Sequence, residues 1–431
     1  MRDVGAGRAR AGGARRSLGR LGLVLFGLAV ALLFGEVALR IVRPVPEDHL
    51  LPFPYRHDLL ARIVAGETYV RFDADLGWAP NPGAVRRETG VVHEANGAGI
   101  RAAREFPVEP PPGVRRLAAF GDSFTYCDEV ELADCWAARL ETAWPATEVL
   151  NFGGPGYGPD QAWLRYERDG RAYAPCAVLI GYMPENLNRT IARFFPFYEP
   201  STSLVLSKPR FQVRDDRLAL LPNPIGSPEQ LADPRTVEAL LGPGDRWHVP
   251  GMFVPGPLDG LMAARLVRTT AYHRHAADPE GGDLSYLRAA AAGPAWAGTG
   301  DPEAFDRALT RRYEGRGEGL ELTARILTEF ARSAERSGST PIVVVFPRRA
   351  DVATSREGGP KLYGPLLGRL ASAGVATIDL TGPLTEASRR GRTRDLFAPL
   401  DHYSPRGNEV AAAHLARTLP PLTARTCGAA E

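Results

Sequence analysis

Two short apolar runs constrain the fold of this chain more than any other feature, CAVLIGYM at 176–183 and PIVVVF at 341–346. Each is almost continuously apolar, which is typical of a strand that is covered on both faces in a parallel sheet. Three further runs of similar length are strand candidates: RRLAAF at 115–120, TEVLNF at 147–152 and VATIDL at 375–380. A helical pattern ends at Gly338, directly before PIVVVF. Helix and strand signals that alternate in this way predict an α/β fold with a doubly wound parallel sheet of five strands.

The connection between the third and fourth of these strands is much longer than a crossover requires. It contains 157 residues, between Met183 and Pro341, whereas a crossover connection needs about a dozen or more. We therefore expect an insertion on the domain at about 190–310. It opens with an aromatic cluster, Phe194 to Tyr198, which we interpret as a packed connection because aromatic stripes are more often core than ligand platform. A hairpin is predicted within 207–224.

The N-terminal segment has the features of a membrane anchor. Residues 1–20 contain six Arg and one Asp, and the run from Leu21 to Leu39 is apolar except for Glu36. Its length lies just within the roughly 17–25 residues that span a bilayer. The six Arg argue against a buried helix, and the long run without a clear small-x-small cleavage site argues against a cleaved signal peptide. We expect a cytoplasmic tail (1–20), an uncleaved helix (21–41) and the rest of the chain outside the cytoplasm, in the cell envelope.

Two regions are expected outside the cytoplasm. A Pro-rich stalk with extended hairpins is predicted at 42–112, and the α/β domain with its insertion at 113–425. The net charge is +2 and the basic tail accounts for the positive excess, so the remainder has no electrostatic footprint for nucleic acid. No nucleotide-binding or zinc-peptidase motif is present in the sequence, and we expect neither a cofactor nor a metal. The four Cys are too few for a disulfide scaffold; a Cys127–Cys135 bridge and unbridged thiols both remain compatible with the sequence.

Polar residues follow the predicted strands at their carboxyl ends, where functional groups gather in an open parallel sheet. GDSFT places Ser123 at a helix start, and NFGGPGYG supplies glycines that let the backbone approach a ligand. GYMPEN places Glu185 and Asn186 at the same edge, and LDHYSPRGN places Asp401 and His402 before the last helix. A serine with a histidine base and nearby N–H donors has the components of nucleophilic acyl transfer.

These segments together resemble the SGNH hydrolases, or GDSL family, whose four sequence blocks hold Ser, Gly, Asn and His. The resemblance covers about residues 113–420 and implies a flavodoxin-like sheet. It implies that Ser123 is the nucleophile and His402 the general base. It also implies an oxyanion hole made by the N–H groups of Ser123 and Gly156 and the side-chain amide of Asn186.

Two positions depart from the family pattern. The third block usually reads Gly-x-Asn-Asp, whereas this chain has GYMPEN, so Glu185 is an alternative to Asn186. The acid usually lies two or three residues before the histidine, whereas Asp401 directly precedes His402. Adjacent side chains in an extended segment point in opposite directions. Asp401 is our candidate for orienting His402, with Asp395 or a backbone carbonyl as alternatives.

The resemblance, the anchor and the long insertion together imply a membrane-anchored serine esterase or acyltransferase. Its expected partners are the membrane and an acylated carbohydrate or other small ester, above all an O-acetyl ester of an extracytoplasmic glycan. Water as the second acceptor would make the protein a hydrolase, and a sugar hydroxyl would make it a transferase. The alternative is an inactive SGNH-like factor that binds glycan or assists polysaccharide assembly, with the aromatic cluster as its sugar-binding surface.

Overall fold

The computed structural model describes residues 5–42, 57–88, 90–199, 202–251, 254, 256–277, 302–315 and 317–428. Residues 43–56 of the predicted stalk region and residues 278–301 of the predicted insertion lie outside these residues. Within them the strands are β1 (Val70–Asp73), β2 (Gly77–Pro80), β3 (Val85–Glu88), β4 (Val91–Glu94), β5 (Arg115–Phe120), β6 (Thr147–Asn151), β7 (Ala177–Tyr182), β8 (Arg210–Arg214), β9 (Arg217–Leu221), β10 (Thr340–Val345) and β11 (Thr377–Asp379).

The helices of the described residues fall into an N-terminal group, a group around the first three sheet strands, an insertion group and a C-terminal group. They are Gly5–Val42 and His57–Val64; Ser123–Tyr126, Trp136–Ala143, Pro159–Arg165 and Asn186–Thr190; Phe195–Tyr198, Pro234–Leu241, Met262–Ala277 and Pro302–Tyr313; and Gly319–Arg336, Arg349–Arg356, Gly364–Ser372, Thr381–Arg389 and Pro405–Cys427.

A five-stranded parallel sheet forms the centre of the fold. Its strand order is β11–β10–β7–β5–β6, which is the flavodoxin-like order. Val344 in β10 pairs with Gly181 of β7 on one side and Ile378 of β11 on the other. The predicted α/β fold is confirmed, and all five predicted strands are present.

Both faces of this sheet are covered, which explains why its strands read as continuous apolar runs. Leu179 and Val344 belong to the core on one face, where Leu415 of the last helix packs. Their neighbours Val178 and Val343 belong to the core on the other face, with Phe330 of helix Gly319–Arg336. Burial on both faces removes the polar alternation that a strand with one exposed face would show.

The N-terminal hairpins and the insertion share a third core. The antiparallel pairs β1–β2 and β8–β9 pack here beside helix Gly319–Arg336, with Trp78, Phe211 and Ile326 among the buried residues. Phe194, Phe195 and Phe197 are buried in the same core, so the interpretation of the aromatic cluster as a packed connection is confirmed for these residues. The predicted hairpin in 207–224 is also confirmed as β8–β9.

Two disulfides link segments of the α/β domain. Cys127–Cys135 closes a loop of eight residues immediately after the first sheet strand and its short helix. Cys176–Cys427 joins the start of β7 to the end of the last helix, 251 residues away. The sequence did not decide between a Cys127–Cys135 bridge and free thiols, and it gave no indication of the Cys176–Cys427 bridge.

One helix among the described residues is long and apolar enough to cross a membrane. It comprises Arg20–Val42, with a mean hydropathy of 2.3 and none of its apolar window buried. By length and composition, this segment suits either a membrane anchor or a signal sequence.

Candidate active site

Ser123 lies at the carboxyl edge of the sheet, in a tight turn between β5 and a four-residue helix. Asp122 caps this helix, and its Oδ1 accepts the N–H of Phe124 at 2.9 Å. A Cβ on Gly121 would come within 2.8 Å of the Gly181 carbonyl oxygen, so the turn needs a glycine there. The local sequence therefore produces both the helix cap and the position of Ser123 at the sheet edge, where the residue is 6% exposed.

His402 lies beside Ser123, although 279 residues separate them in the chain. Its Nε2 is 2.8 Å from Ser123 Oγ, which is hydrogen-bonding distance. The histidine precedes helix Pro405–Cys427, whose first turn is capped by Ser404 Oγ accepting the N–H of Gly407. The structure thus brings together the serine and the histidine that the sequence singled out.

The carboxylate that orients His402 belongs to Glu129, which the sequence reasoning missed. Glu129 Oε2 lies 2.9 Å from His402 Nδ1 and accepts the backbone N–H of His402 at 3.2 Å. Its other oxygen accepts the N–H of Leu400 at 2.8 Å. With Nδ1–H donated to Glu129, Nε2 is left as the acceptor that faces Ser123.

The proposed role of Asp401 is corrected by this geometry. Its carboxylate forms an ion pair with Arg349 at 2.7 Å and does not contact the imidazole. The alternative, Asp395, directs its carboxylate to Arg392 and offers only its backbone carbonyl to Ser404. The backbone turns at Asp401, which has φ +72°, and its side chain is directed to Arg349 and not to the ring.

The pKa of His402 is raised and that of Glu129 is lowered, in each case against the effect of burial. Burial acts to lower the pKa of His402, but the hydrogen bond that the ring donates to Glu129 and the negative charges of Asp128 and Glu129 outweigh it and raise that pKa. Burial acts to raise the pKa of Glu129, but the hydrogen bonds from His402 and the Leu400 N–H outweigh it and lower that pKa. The Glu129 carboxylate therefore stabilises the imidazolium form of His402.

Two backbone N–H groups are available beside the hydroxyl. Within the described part of the chain, neither the N–H of Ser123 nor that of Gly156 has a hydrogen-bond acceptor. Gly156 has φ +75°, and a Cβ there would come within 2.4 Å of Leu204, so only glycine suits the position. Both residues line the same cavity as His402, an arrangement that suits an oxyanion.

Asn186 is placed differently from the donor that the sequence suggested. Its Nδ2 donates to Asp122 Oδ2 at 2.8 Å and its Oδ1 accepts the N–H of Met183, and the residue does not line the cavity. Its alternative, Glu185, does not line the cavity either. Arg189 does, and its Nη1 reaches the same Asp122 oxygen at 3.4 Å. In this conformation Asn186 supports the turn before Ser123.

The Ser123 hydroxyl opens into a groove of about 1060 Å³. Its walls come from the α/β domain, from the N-terminal hairpins through Tyr69 and Arg86, and from the insertion through Phe195 and Leu204. This volume lies at the upper end of the roughly 300–1,000 Å³ usual for small-molecule sites. A second cavity, of about 570 Å³, shares no lining residue with this groove.

The N-terminal hairpin β3–β4 supports the loop that carries Glu129. Arg86 of β3 forms an ion pair with Asp128, and His93 Nε2 of β4 lies 3.1 Å from the same carboxylate. Burial acts to raise the pKa of Asp128, but His93 and Arg86 outweigh it and hold that pKa well below its usual range. A region outside the α/β domain thus contributes to the site.

In the described part of the chain, no group of three or more His, Cys, Asp or Glu side chains is arranged to hold a metal ion. The chemistry that the arrangement can perform is that of a serine, histidine and carboxylate with backbone donors.

The C-terminal part of the chain is similar to a known protein family. Residues 305–430 match the family model described as "SGNH hydrolase-like domain, acetyltransferase AlgX". No curated protein matches the chain.

Several solved structures are similar, at low identity. An acetylxylan esterase from Geobacillus stearothermophilus, solved as a catalytic mutant, is 11% identical, with 72% of this chain and 95% of that chain covered and a TM-score of 0.35. The lipase/acylhydrolase from Enterococcus faecalis is 13% identical, with 72% and 97% covered and a TM-score of 0.30. A G-D-S-L family lipolytic protein from Veillonella parvula is 12% identical, with 71% and 98% covered and a TM-score of 0.30. These values are too low to indicate an activity or substrate. The family-model match confirms the predicted resemblance over residues 305–430, where the chain is similar to an SGNH hydrolase-like domain.

Proposed function

We propose that this protein transfers acyl groups from O-acyl esters through Ser123, His402 and Glu129. The observation that carries the proposal is the position of His402, whose two ring nitrogens lie 2.8 Å from Ser123 Oγ and 2.9 Å from Glu129 Oε2. This is the hydrogen-bonding pattern of a nucleophile, a base and an orienting acid. The fold family, which includes acetyltransferases by the description of its model, is consistent with this chemistry.

In the first half-reaction, Ser123 gives its proton to His402 Nε2 as Oγ forms a bond to the acyl carbonyl carbon. The resulting oxyanion accepts hydrogen bonds from the N–H groups of Ser123 and Gly156. The imidazolium, stabilised by Glu129, then protonates the leaving alkoxide as the ester C–O bond breaks. The products are acyl-Ser123 and the free alcohol.

In the second half-reaction, a hydroxyl acceptor gives its proton to His402 and attacks the acyl carbonyl. Breakage of the bond to Ser123 Oγ, with return of the proton, regenerates the serine. Water as acceptor releases the carboxylic acid, whereas a sugar hydroxyl yields a new ester. The same residues serve both outcomes, so access of the acceptor to the groove decides between them.

The proposed substrate is an O-acetylated glycan outside the cytoplasm. The groove is open and larger than an acetyl group alone would require, and three regions of the chain supply its walls. The two disulfides are consistent with an oxidising compartment, and the helix Arg20–Val42 is consistent with an anchor. We propose that Arg20–Val42 spans the membrane with the α/β domain on the extracytoplasmic side.

The test is a Ser123→Ala variant of the full-length protein assayed on p-nitrophenyl acetate. Turnover should fall by about 10³-fold or more, since removing a triad member leaves only residual catalysis. Ser372→Ala, at an exposed position of helix Gly364–Ser372 that does not line the groove, is the matched control and should retain full activity. Undiminished hydrolysis by Ser123→Ala would remove this serine from the mechanism.

A fluorophosphonate probe separates the enzyme from the inactive glycan-binding alternative. The wild-type protein should be labelled at Ser123, and an acetylated oligosaccharide should protect it. Failure of folded protein to react, together with measurable polysaccharide binding, would favour the binding factor. An increase in p-nitrophenol release on adding a deacetylated saccharide, with acetyl transferred to it, would identify a transferase.

A further inference from the structure

Glu36, the one charged residue in the apolar run Leu21–Leu39, caps a helix of the insertion. Its carboxylate accepts the N–H of Met262 at 2.6 Å and the N–H of Ala263 at 3.2 Å, the first two residues of helix Met262–Ala277. Four residues later, Arg40 donates to Glu36 at 2.9 Å and to the Gly260 carbonyl at 2.6 Å. The insertion is thus attached to the carboxyl end of the N-terminal helix.

The position of this attachment along the helix places the insertion at a membrane boundary. A bilayer core of about 30 Å takes about 20 helical residues. Counted from Leu21, after the last Arg of the basic tail, such a span ends near Arg40. Glu36 lies four residues earlier, or about 6 Å along the helix axis. The attachment at Glu36 is therefore within about 6 Å of the edge of the hydrocarbon region.

The insertion presents large apolar side chains beside this attachment. Leu258, Leu261 and Val267 have exposed fractions of 61, 45 and 57%. Leu261 directly follows Gly260, whose carbonyl accepts a hydrogen bond from Arg40, and Leu258 lies two residues before it. Side chains of this kind in water are unfavourable as a contiguous group, whereas the interfacial region of a bilayer accommodates them.

We propose that residues 256–268 form a second membrane contact, in which Leu258, Leu261 and Val267 enter the interfacial layer of the lipid on the extracytoplasmic side. In this arrangement the Glu36 carboxylate has hydrogen-bond donors. Without the insertion it would face lipid, which is unfavourable for a charged group. The α/β domain is held against the surface through the insertion. This inference rests on the proposed membrane span of Arg20–Val42 and is independent of the proposed acyl transfer.

The test measures lipid contact in the full-length protein in phosphatidylcholine–phosphatidylglycerol vesicles. The four native cysteines are paired in disulfides, so Leu258→Cys, Leu261→Cys or Val267→Cys adds a single site for an environment-sensitive fluorophore. We expect nitroxide-labelled lipids to quench these probes several-fold more than a probe at Leu240→Cys. Leu240 lies in the same insertion, on helix Pro234–Leu241, and is 38% exposed.

Glu36→Leu provides the second variant. It removes the carboxylate and leaves the helix at least as apolar, so the protein should stay in the membrane while quenching at Leu258→Cys falls to the level of Leu240→Cys. Equal quenching at these two positions in the otherwise native protein would overturn the proposal, as would mass spectrometry showing that the mature protein lacks residues 20–42. Because neither readout uses catalysis, failure here is distinguishable from failure of Ser123 as a nucleophile.

Discussion

Glu129 makes three hydrogen bonds around His402 and so fixes both the position of the ring and its tautomer. Replacing it by Gln keeps the shape but removes the charge that stabilises the imidazolium. We expect kcat for p-nitrophenyl acetate to fall by roughly 10²–10⁴-fold in Glu129→Gln, as for acids of other serine triads. Asp401→Asn, which changes the residue adjacent to the histidine but touches only an ion pair with Arg349, should change kcat by less than about twofold.

A reversed result, with Asp401→Asn inactive and Glu129→Gln active, would show that Asp401 orients His402, as the sequence predicted. Circular dichroism on both variants would show whether either result reflects folding. Asp395→Asn offers a further control, because Asp395 is at the surface beside Arg392.

The raised pKa of His402 predicts the pH dependence of the reaction. The base must be neutral to accept the Ser123 proton, so kcat/KM should rise with pH through a pKa above the usual value of about 6.5. In Glu129→Gln the remaining activity should have its rising limb at lower pH, because the charge that favours the imidazolium is gone. A pH profile from 4 to 9 on both proteins measures this, and a limb that stays in place would assign the titration to another group.

At the scale of elements, the loop between Cys127 and Cys135 carries Glu129, so its bridge acts on the site. We expect the double variant Cys127→Ser/Cys135→Ser to lose about tenfold in kcat through misplacement of the carboxylate. The chain-entropy model gives a stabilisation of about 2.5 kcal/mol for a loop of this length, against about 5.5 kcal/mol for the loop closed by Cys176–Cys427.

The second bridge is therefore the matched control. Cys176→Ser/Cys427→Ser should lower the denaturant midpoint more but leave the kcat of folded protein close to wild type. Urea titration and activity measured on the same samples check both halves. Equal effects of the two double variants on kcat would contradict a positioning role for the first loop.

How far the sequence predicts these elements depends on whether the signal is local. The strands around Leu179 and Val344 are recognisable because burial on both faces makes each of them continuously apolar. Ser123 is recognisable because it follows a strand in a capping sequence, and His402 because it precedes the capping sequence of the last helix. Glu129 carries no such local signal, since its partner is 273 residues away. The available indication was the cluster of four acidic residues between a pair of cysteines just after GDSFTY.

Asn186 shows a second limit. Its segment was correctly placed at the sheet edge, but the direction of its amide depends on Asp122, 64 residues earlier. A sequence motif gives the position of such a side chain and leaves its partner undetermined. The registers of hairpins such as β8–β9, by contrast, follow from alternation and a short turn.

At the scale of the whole molecule, a buried ion pair joins the insertion to the α/β domain. Lys208 precedes β8 and Asp160 lies in helix Pro159–Arg165, and their side chains are 2% and 0% exposed. Burial lowers the pKa of Lys208 and raises that of Asp160. We expect Lys208→Met to lose about 3–5 kcal/mol, since it leaves a buried carboxylate without its partner.

Lys208→Met/Asp160→Leu should recover part of this loss, because an apolar pair leaves no charge unpaired. Urea unfolding of the wild type, both single variants and the double variant gives the interaction free energy. Additive losses would mean that the two side chains do not stabilise one another.

The order of the site residues along the chain has a consequence for export. Ser123 and Cys176 leave the ribosome well before their partners His402 and Cys427, which follow 279 and 251 residues later. If the domain crosses the membrane behind its N-terminal helix, as proposed, the serine has no base until nearly all of the chain has followed. An acyl-transfer activity assembled in this way is silent throughout synthesis and translocation, and begins only in the compartment where the last helix is secured to the sheet.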